Sequence, residues 1–245
     1  MKRRVQPELL DTLPPEDPRA AHSRRDLHRI NIWMRSHAIV ARALENNFSS
    51  AAPRHITELG AGDGKFLLAV AQRIAPRWPA MRVTLLDRQK NISGETLAAF
   101  AQCGWRAEAV MTDVFDWPQT SATVVVTNLF LHHFEAEQLA ALLRLISTRA
   151  KLFIALEPRR SRWPLFCSRL LWAIGCNAVT RHDAAVSVHA GFSGRELSAL
   201  WPANQNGSSR KNPSARSAIC SSRENCIETW PRPNPSRSSA AAWRV

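Results

Sequence analysis

No segment of this 245-residue chain reads as an export leader, a membrane span or a metal-binding cysteine cluster. Met1 to Arg4 is basic, but Gln6, Pro7 and then acids stand where the apolar core of a leader would be. Leu165 to Val179 is apolar yet interrupted by Ser168, Arg169 and Asn177, and it is too short to cross a bilayer. A cytoplasmic protein is expected. The five cysteines, at 103, 167, 176, 220 and 226, form no C-x-x-C pair and are odd in number, which argues against both a zinc ribbon and a secreted disulfide framework. Internal repeats are also lacking, and a chain of this length with alternating strand and helix signals fits one α/β domain with one sizeable core.

The chain does have a glycine cradle. Glu58-Leu59-Gly60-Ala61-Gly62-Asp63-Gly64 follows the short run at His55-Ile56 and precedes a helical pattern. Glycines at every second position let the backbone turn sharply off a strand and approach a ligand closely, while the following helix aims its N–H groups at the same place. The dinucleotide fingerprint G-x-G-x-x-G would need a third glycine at position 65, where this chain has Lys65. Phe66, Leu67, Val70, Ala71 and Ile74 recur at helical spacing before Pro76, so strand, glycine turn and helix come in the required order. Met81 to Leu86 is a second short apolar run, and it ends in Asp87, about 20 residues beyond the cradle. A carboxylate there is positioned to accept from both hydroxyls of a ribose.

Arg106 to Met111 alternates and leads to Thr112-Asp113-Val114, and Ala122 to Thr127 is a continuous apolar run suited to a strand buried on both faces. A helix is predicted over Glu135 to Ser147, with Leu139, Leu142, Leu143 and Ile146 on one stripe, and a fifth strand over Leu152 to Leu156. The pattern E-x-G-x-G-x-G resembles motif I of the class I S-adenosylmethionine (SAM) dependent methyltransferases. Asp113 resembles that family's acid for the adenine amino group, with the Val114 N–H meeting a ring nitrogen. Asn128-Leu129-Phe130-Leu131-His132-His133-Phe134 resembles the strand-four exit of small-molecule members. The resemblance covers roughly residues 20 to 202 and implies a Rossmann-like sheet in the order 3-2-1-4-5. It also implies SAM as cofactor, held by Glu58, Gly60, Gly62, Gly64, Asp87, Asp113, Val114 and Asn128. No metal ligands are expected, because no Asp-Asn pair lies near the second acidic position to complete an oxygen cluster.

The acceptor is expected to be a small molecule, an aromatic or polyketide-like compound methylated at a hydroxyl. His132 leaves the fourth strand where the methyl group would stand and is the candidate base for such a hydroxyl, whereas His133 is expected to cap or pack the next helix. His182 and His189 fall in a segment, 159 to 192, that resembles a substrate lid and contains an apolar helix over Trp163 to Ile174. Before the core, His22 to Leu44 reads as one long or two short amphipathic helices capping the crevice, with Arg29 a candidate for the methionyl carboxylate. The formal charge of +13 raises RNA methylation as a rival reading, but +5 of it lies in residues 203 to 245. Asn128 is followed by Leu129-Phe130 instead of the Pro-Pro of base-amine enzymes, and no cysteine follows a proline as cytosine C5 chemistry requires.

Class I methyltransferases usually finish with a helix and two antiparallel strands beside strand five. Ser193 to Leu200 supplies the helix, but residues 203 to 245 are rich in Ser, Asn, Arg and Pro. Strands six and seven are therefore expected to be missing or disordered, with strand five left as an apolar edge. The tail also admits a third reading, a methyltransferase-fold protein without catalysis.

Overall fold

The computed structural model describes residues 1–14, 16–48, 52–117, 122–202 and 225–231, with residues 122, 123 and 225–231 described by backbone alone. Its sheet has six strands in the order β3-β2-β1-β4-β5-β6. These are β1 His55–Leu59, β2 Arg82–Asp87, β3 Arg106–Met111, β4 Ala122–Asn128, β5 Ala150–Pro158 and β6 Asn225–Pro231. The first five run parallel in the expected order, with Thr57 opposite Thr84 and Val125, and Val125 opposite Phe153.

Parallel strands need covering on both faces, and the apolar residues divide accordingly. Val124, Val126, Leu152, Ile154 and Leu156 pack in one cluster with Val40 and Leu44 of α3 (Ser36–Asn47), Leu67, Val70 and Ile74 of α4 (Lys65–Ile74), and Phe100 of α5 (Gly94–Gln102). Val125, Phe153 and Ala155 face the other way, onto Leu139, Leu142, Leu143 and Ile146 of α6 (Ala136–Arg149). The stripes predicted for α4 and α6 are the buried ones. Trp105 is also buried in the first cluster, and its indole N–H donates to the Trp78 carbonyl at 2.8 Å, so the bulkiest core side chain leaves no orphaned donor.

The segment from His22 to Leu44 forms two helices, α2 (Pro18–Trp33) and α3, separated at Arg35, whose φ of 55° no helix can contain. The amphipathic reading holds for α3 but not for α2. Helix α2 buries Ala20, Ser23 and Asp26 while Ile32 and Trp33 stay exposed. Its buried face is polar because it docks on polar partners of α8 (Ala178–Ala190). The Thr180 hydroxyl lies 2.9 Å from Ser23 Oγ and 3.0 Å from Asp26 Oδ2, and the N–H of Asn177, the N-cap of α8, donates to Asp26 Oδ2 at 2.9 Å. The apolar helix expected over Trp163 to Ile174 is divided into α7 (Arg162–Arg169) and a 3₁₀ turn, Leu171–Ile174, stopped by Gly175 at φ 78°.

One expectation is corrected at the end of the chain. Residues 225–231 form β6 and pair antiparallel with all of β5 from Leu152 to Pro158, so β5 is not left as an edge. Sequence pattern missed this strand because edge pairing is satisfied by backbone groups and does not require apolar alternation. The disorder expected for 203–224 and 232–245 lies outside the described residues. Ending the chain after residue 202 should therefore cost about 2 kcal/mol and lower the melting temperature by roughly 4–8 °C, with increased aggregation. An unchanged thermal unfolding curve would show that β6 contributes nothing.

Candidate functional site

The carboxyl ends of β1, β2 and β4 open into a crevice of about 670 Å³. Its floor is the glycine turn, pinned to β2 by the N–H groups of Gly60 and Ala61, both donating to the Leu86 carbonyl at 2.9 and 3.0 Å. Gly60, Gly62 and Gly64 all have positive φ, between 56° and 74°. At Gly60 an added Cβ would fall 2.1 Å from the Phe130 ring, whereas nothing lies within 4 Å of the equivalent point at Gly62. Gly60 thus admits the β4 exit, and Gly62 leaves its backbone open to a ligand.

Four acceptors ring this floor. Asp87 Oδ2 accepts from the Gly62 N–H and Oδ1 from the Gln89 N–H, both at 2.8 Å, so each oxygen keeps a further lone pair. Burial pushes the Asp87 carboxyl up, against the lowering effect of those two bonds. Glu58 is buried at the end of β1, and its carboxyl is raised well above the usual range, first by desolvation and then by Asp63 and Asp87. It accepts from the Leu67 N–H in the first turn of α4, where Gly64 offers no capping side chain, and its Oε2 has no partner. Asn128 Oδ1, at the end of β4, is likewise buried and unpartnered. Asp113 caps the short turn Val114–Asp116 by accepting from the Phe115 N–H at 2.9 Å. Gly60, Gly62, Asp87, Asp113, Val114, Asn128 and Glu58 all line the crevice, while Gly64 sits behind it against Leu85 and Thr96.

The β4 exit is tied to β5 by one carboxylate. Glu157, 1% exposed, accepts from the backbone N–H groups of Phe130 (3.0 Å), Leu131 (2.8 Å) and His132 (3.3 Å) and bonds His132 Nδ1 at 2.8 Å. Leu129 turns through φ 54° to make this possible. Phe130 then stacks edge-on with Phe134, and Phe134 with Phe115, forming an aromatic wall.

His132 does not stand where the sequence suggested. It is buried, is not among the residues lining the crevice, and both its nitrogens are held: Nδ1 by Glu157 and Nε2 by Glu8 Oε1 at 3.1 Å. Its neighbour His133 does line the crevice, with Nδ1 3.3 Å from Asp11 Oδ2. Arg29 is turned away, donating to the Ile174 carbonyl at 3.2 Å and lying 3.5 Å from Asp26; Arg24 and His28 of the same helix reach the crevice instead.

No residue of 159–192, the segment expected as a lid, lines the crevice. That wall is built by residues 5–11, which sequence reading passed over. The segment is held from behind by α8. Asp183 accepts from the Leu9 and Leu10 N–H groups at 2.8 and 2.9 Å, capping the single turn α1 (Leu9–Thr12), and Ser187 donates to Glu8. Arg3 donates to the carbonyls of Ala190 (2.8 Å), His132 (3.2 Å) and Phe134 (2.8 Å). His182 is occupied with Asp183, and His189 meets the segment only through its carbonyl, which accepts from the Arg4 N–H. The sole sequence signal for this arrangement is a pair of acids, Glu8 and Asp11, in an otherwise featureless N-terminus.

Burial by itself would lower the His132 pKa, but the hydrogen bonds and charges of Glu157 and Glu8 outweigh it and push the ring up to about 9. A pKa raised above the unfolded 6.5 stabilises fully below that value, and the contribution is lost as pH rises through about 9. The advantage in melting temperature of the wild type over His132→Gln should be largest near pH 6, on the order of 3 kcal/mol, and should shrink by pH 9.5. A difference constant across this range would rule out the buried imidazolium.

Residues 56–151 match the family model described as a methyltransferase domain. Comparison with curated sequences returns no match. Similar solved structures include the plantazolicin methyltransferase in complex with a desmethyl analogue and S-adenosylhomocysteine (SAH), at 16% identity and TM-score 0.54, covering 78% of this chain and 68% of that one. An O-methyltransferase family protein from Burkholderia thailandensis aligns at 16% identity and TM-score 0.57, covering 89% and 60%. The mitomycin 7-O-methyltransferase aligns at 17% identity and TM-score 0.54, covering 91% and 60%. This chain thus spans about two-thirds or less of the length of these proteins. No helix among the described residues is long and apolar enough to cross a membrane. The glycine turn, the strand order and the similarity of residues 56–151 to a methyltransferase domain agree, and the chain has the fold of the class I SAM-dependent methyltransferases.

Proposed function

We propose that the protein transfers a methyl group from SAM to a hydroxyl of a small, aromatic or polyketide-like acceptor. The observation that carries this reading is the convergence of Gly60, Gly62, Asp87, Asp113, Val114 and Asn128 on one crevice, in the order that the family resemblance implies.

The residues present fit the cofactor. Asp87 retains lone pairs for two ribose hydroxyls, Asn128 Oδ1 is an orphaned acceptor for an ammonium group, and the open Gly62 backbone admits close approach. Asp113 and the Val114 N–H would meet the adenine edge, and Phe115 borders the same end of the crevice. SAM supplies, when bound, a methyl group already activated on a sulfonium, so little covalent chemistry is asked of the protein. Its task is to exclude water and align the acceptor oxygen with the methyl carbon and sulfur. Phe130, Phe134 and residues 5–11 supply walls for that purpose. His132 has both nitrogens engaged and positions the β4 exit; of the adjacent pair, His133 is the one that lines the crevice. The similarity to solved O-methyltransferases supports the choice of oxygen and of a small acceptor.

Screening small phenols and polyketides with methyl-labelled SAM tests the reaction, and transfer to RNA in place of any small molecule would refute it. For the cofactor site, Asp87→Ala should weaken SAH binding by roughly 1–3 kcal/mol in calorimetry, through loss of charge-assisted hydrogen bonds. Gly60→Ala should abolish it by driving Phe130 off the turn. SAH affinity unchanged in both variants would reject the assignment.

A further inference from the structure

Glu8 is 124 positions from His132, yet Glu8, His132 and His133 each offer one ligand atom within 4.8 Å of the other two. We propose that these three side chains bind a zinc-class divalent cation in the wall of the crevice. Donors at about 2.0–2.2 Å from one ion lie roughly 3–4 Å apart, so closure requires only side-chain adjustment.

The surroundings of the three residues favour a cation. Each imidazole has Nδ1 beside a carboxylate, Glu157 at 2.8 Å from His132 and Asp11 at 3.3 Å from His133. This is the arrangement that orients metal-bound histidines and raises their basicity. His132 Nε2 lies 3.1 Å from Glu8 Oε1, a separation at which either a proton or a divalent cation can join the two. Three carboxylates, Glu8, Asp11 and Glu157, surround the two rings, and the Glu8 side chain is only 11% exposed. Two nitrogens and one oxygen suit zinc, iron(II) or cobalt(II); magnesium and calcium prefer oxygen alone.

Three protein ligands leave a coordination position open, and Glu8 and His133 both line the crevice. An acceptor hydroxyl coordinated there would lose its proton more readily, a consequence that rests on the methyl-transfer reading above. Cation binding itself does not.

The full chain, freed of metal with a chelator and dialysed, would be titrated with Zn²⁺ by calorimetry and with Co²⁺ by visible absorption. One equivalent should bind without a thiolate charge-transfer band. Glu8→Gln and His133→Ala should each weaken the affinity at least tenfold, and Asp11→Asn, a change beside the ligands at a half-exposed residue, about tenfold. Circular dichroism establishes that each variant is folded. Absence of a saturable equivalent, affinity unchanged in the folded variants, or a thiolate band implicating any of the five cysteines would overturn the proposal. SAH binding measured on the same samples separates the two readings, since loss of one activity without the other condemns only that one.

Discussion

The crevice depends on a single carboxylate at the end of β5. Glu157 collects three consecutive backbone N–H groups and a ring nitrogen from the segment leaving β4, and all of this happens out of water. Charge-assisted bonds of this kind are worth roughly twice their neutral counterparts, and the donors would otherwise be orphaned inside the protein. The carboxylate therefore dictates the path of residues 129–133, including the left-handed turn at Leu129. That path decides where Phe130 lies over Gly60 and how His132 meets the N-terminal segment. The glycine at 60 and the acid at 157, nearly a hundred residues apart, are two halves of one steric and electrostatic solution.

The same logic explains the polar seam behind the crevice wall. Asp26, Asp183, Thr180 and Ser23 are all buried, and each has hydrogen-bond partners drawn from another element. A chain with 33 basic and 20 acidic residues spends several of those acids inside, as fasteners between its N-terminal segment, α2 and α8. The excess positive charge of the surface follows in part from this use of carboxylates.

Much of the sheet was legible in the sequence because strands buried on both faces are written as apolar runs and helices as repeating stripes. Val124 to Val126, Leu139 to Ile146 and Phe66 to Ile74 each behave as their pattern predicts. The cofactor end was legible because it is local: three glycines and an acid that must follow a strand. The opposite wall was not. Asp183 meets Leu9 across 174 positions, and Arg3 meets Phe134 across 131, with no periodicity to announce either contact. The surroundings of His132 were hidden for the same reason, since they are set by Glu8 and Glu157. Neither acid belongs to the strand exit that made the histidine look available. The strand at 225–231 escaped notice because backbone pairing leaves little mark on side-chain pattern.

The origin of the crevice wall has a consequence for the order in which the molecule assembles. The partners of residues 1–11 lie far along the chain, at 132–134, 183 and 187–190. They have nothing to bind until the sheet and α8 exist. Contacts of such long sequence separation gain least from local structure formed early. The crevice wall formed by residues 5–11 is thus the part of the site whose placement depends wholly on segments remote in sequence.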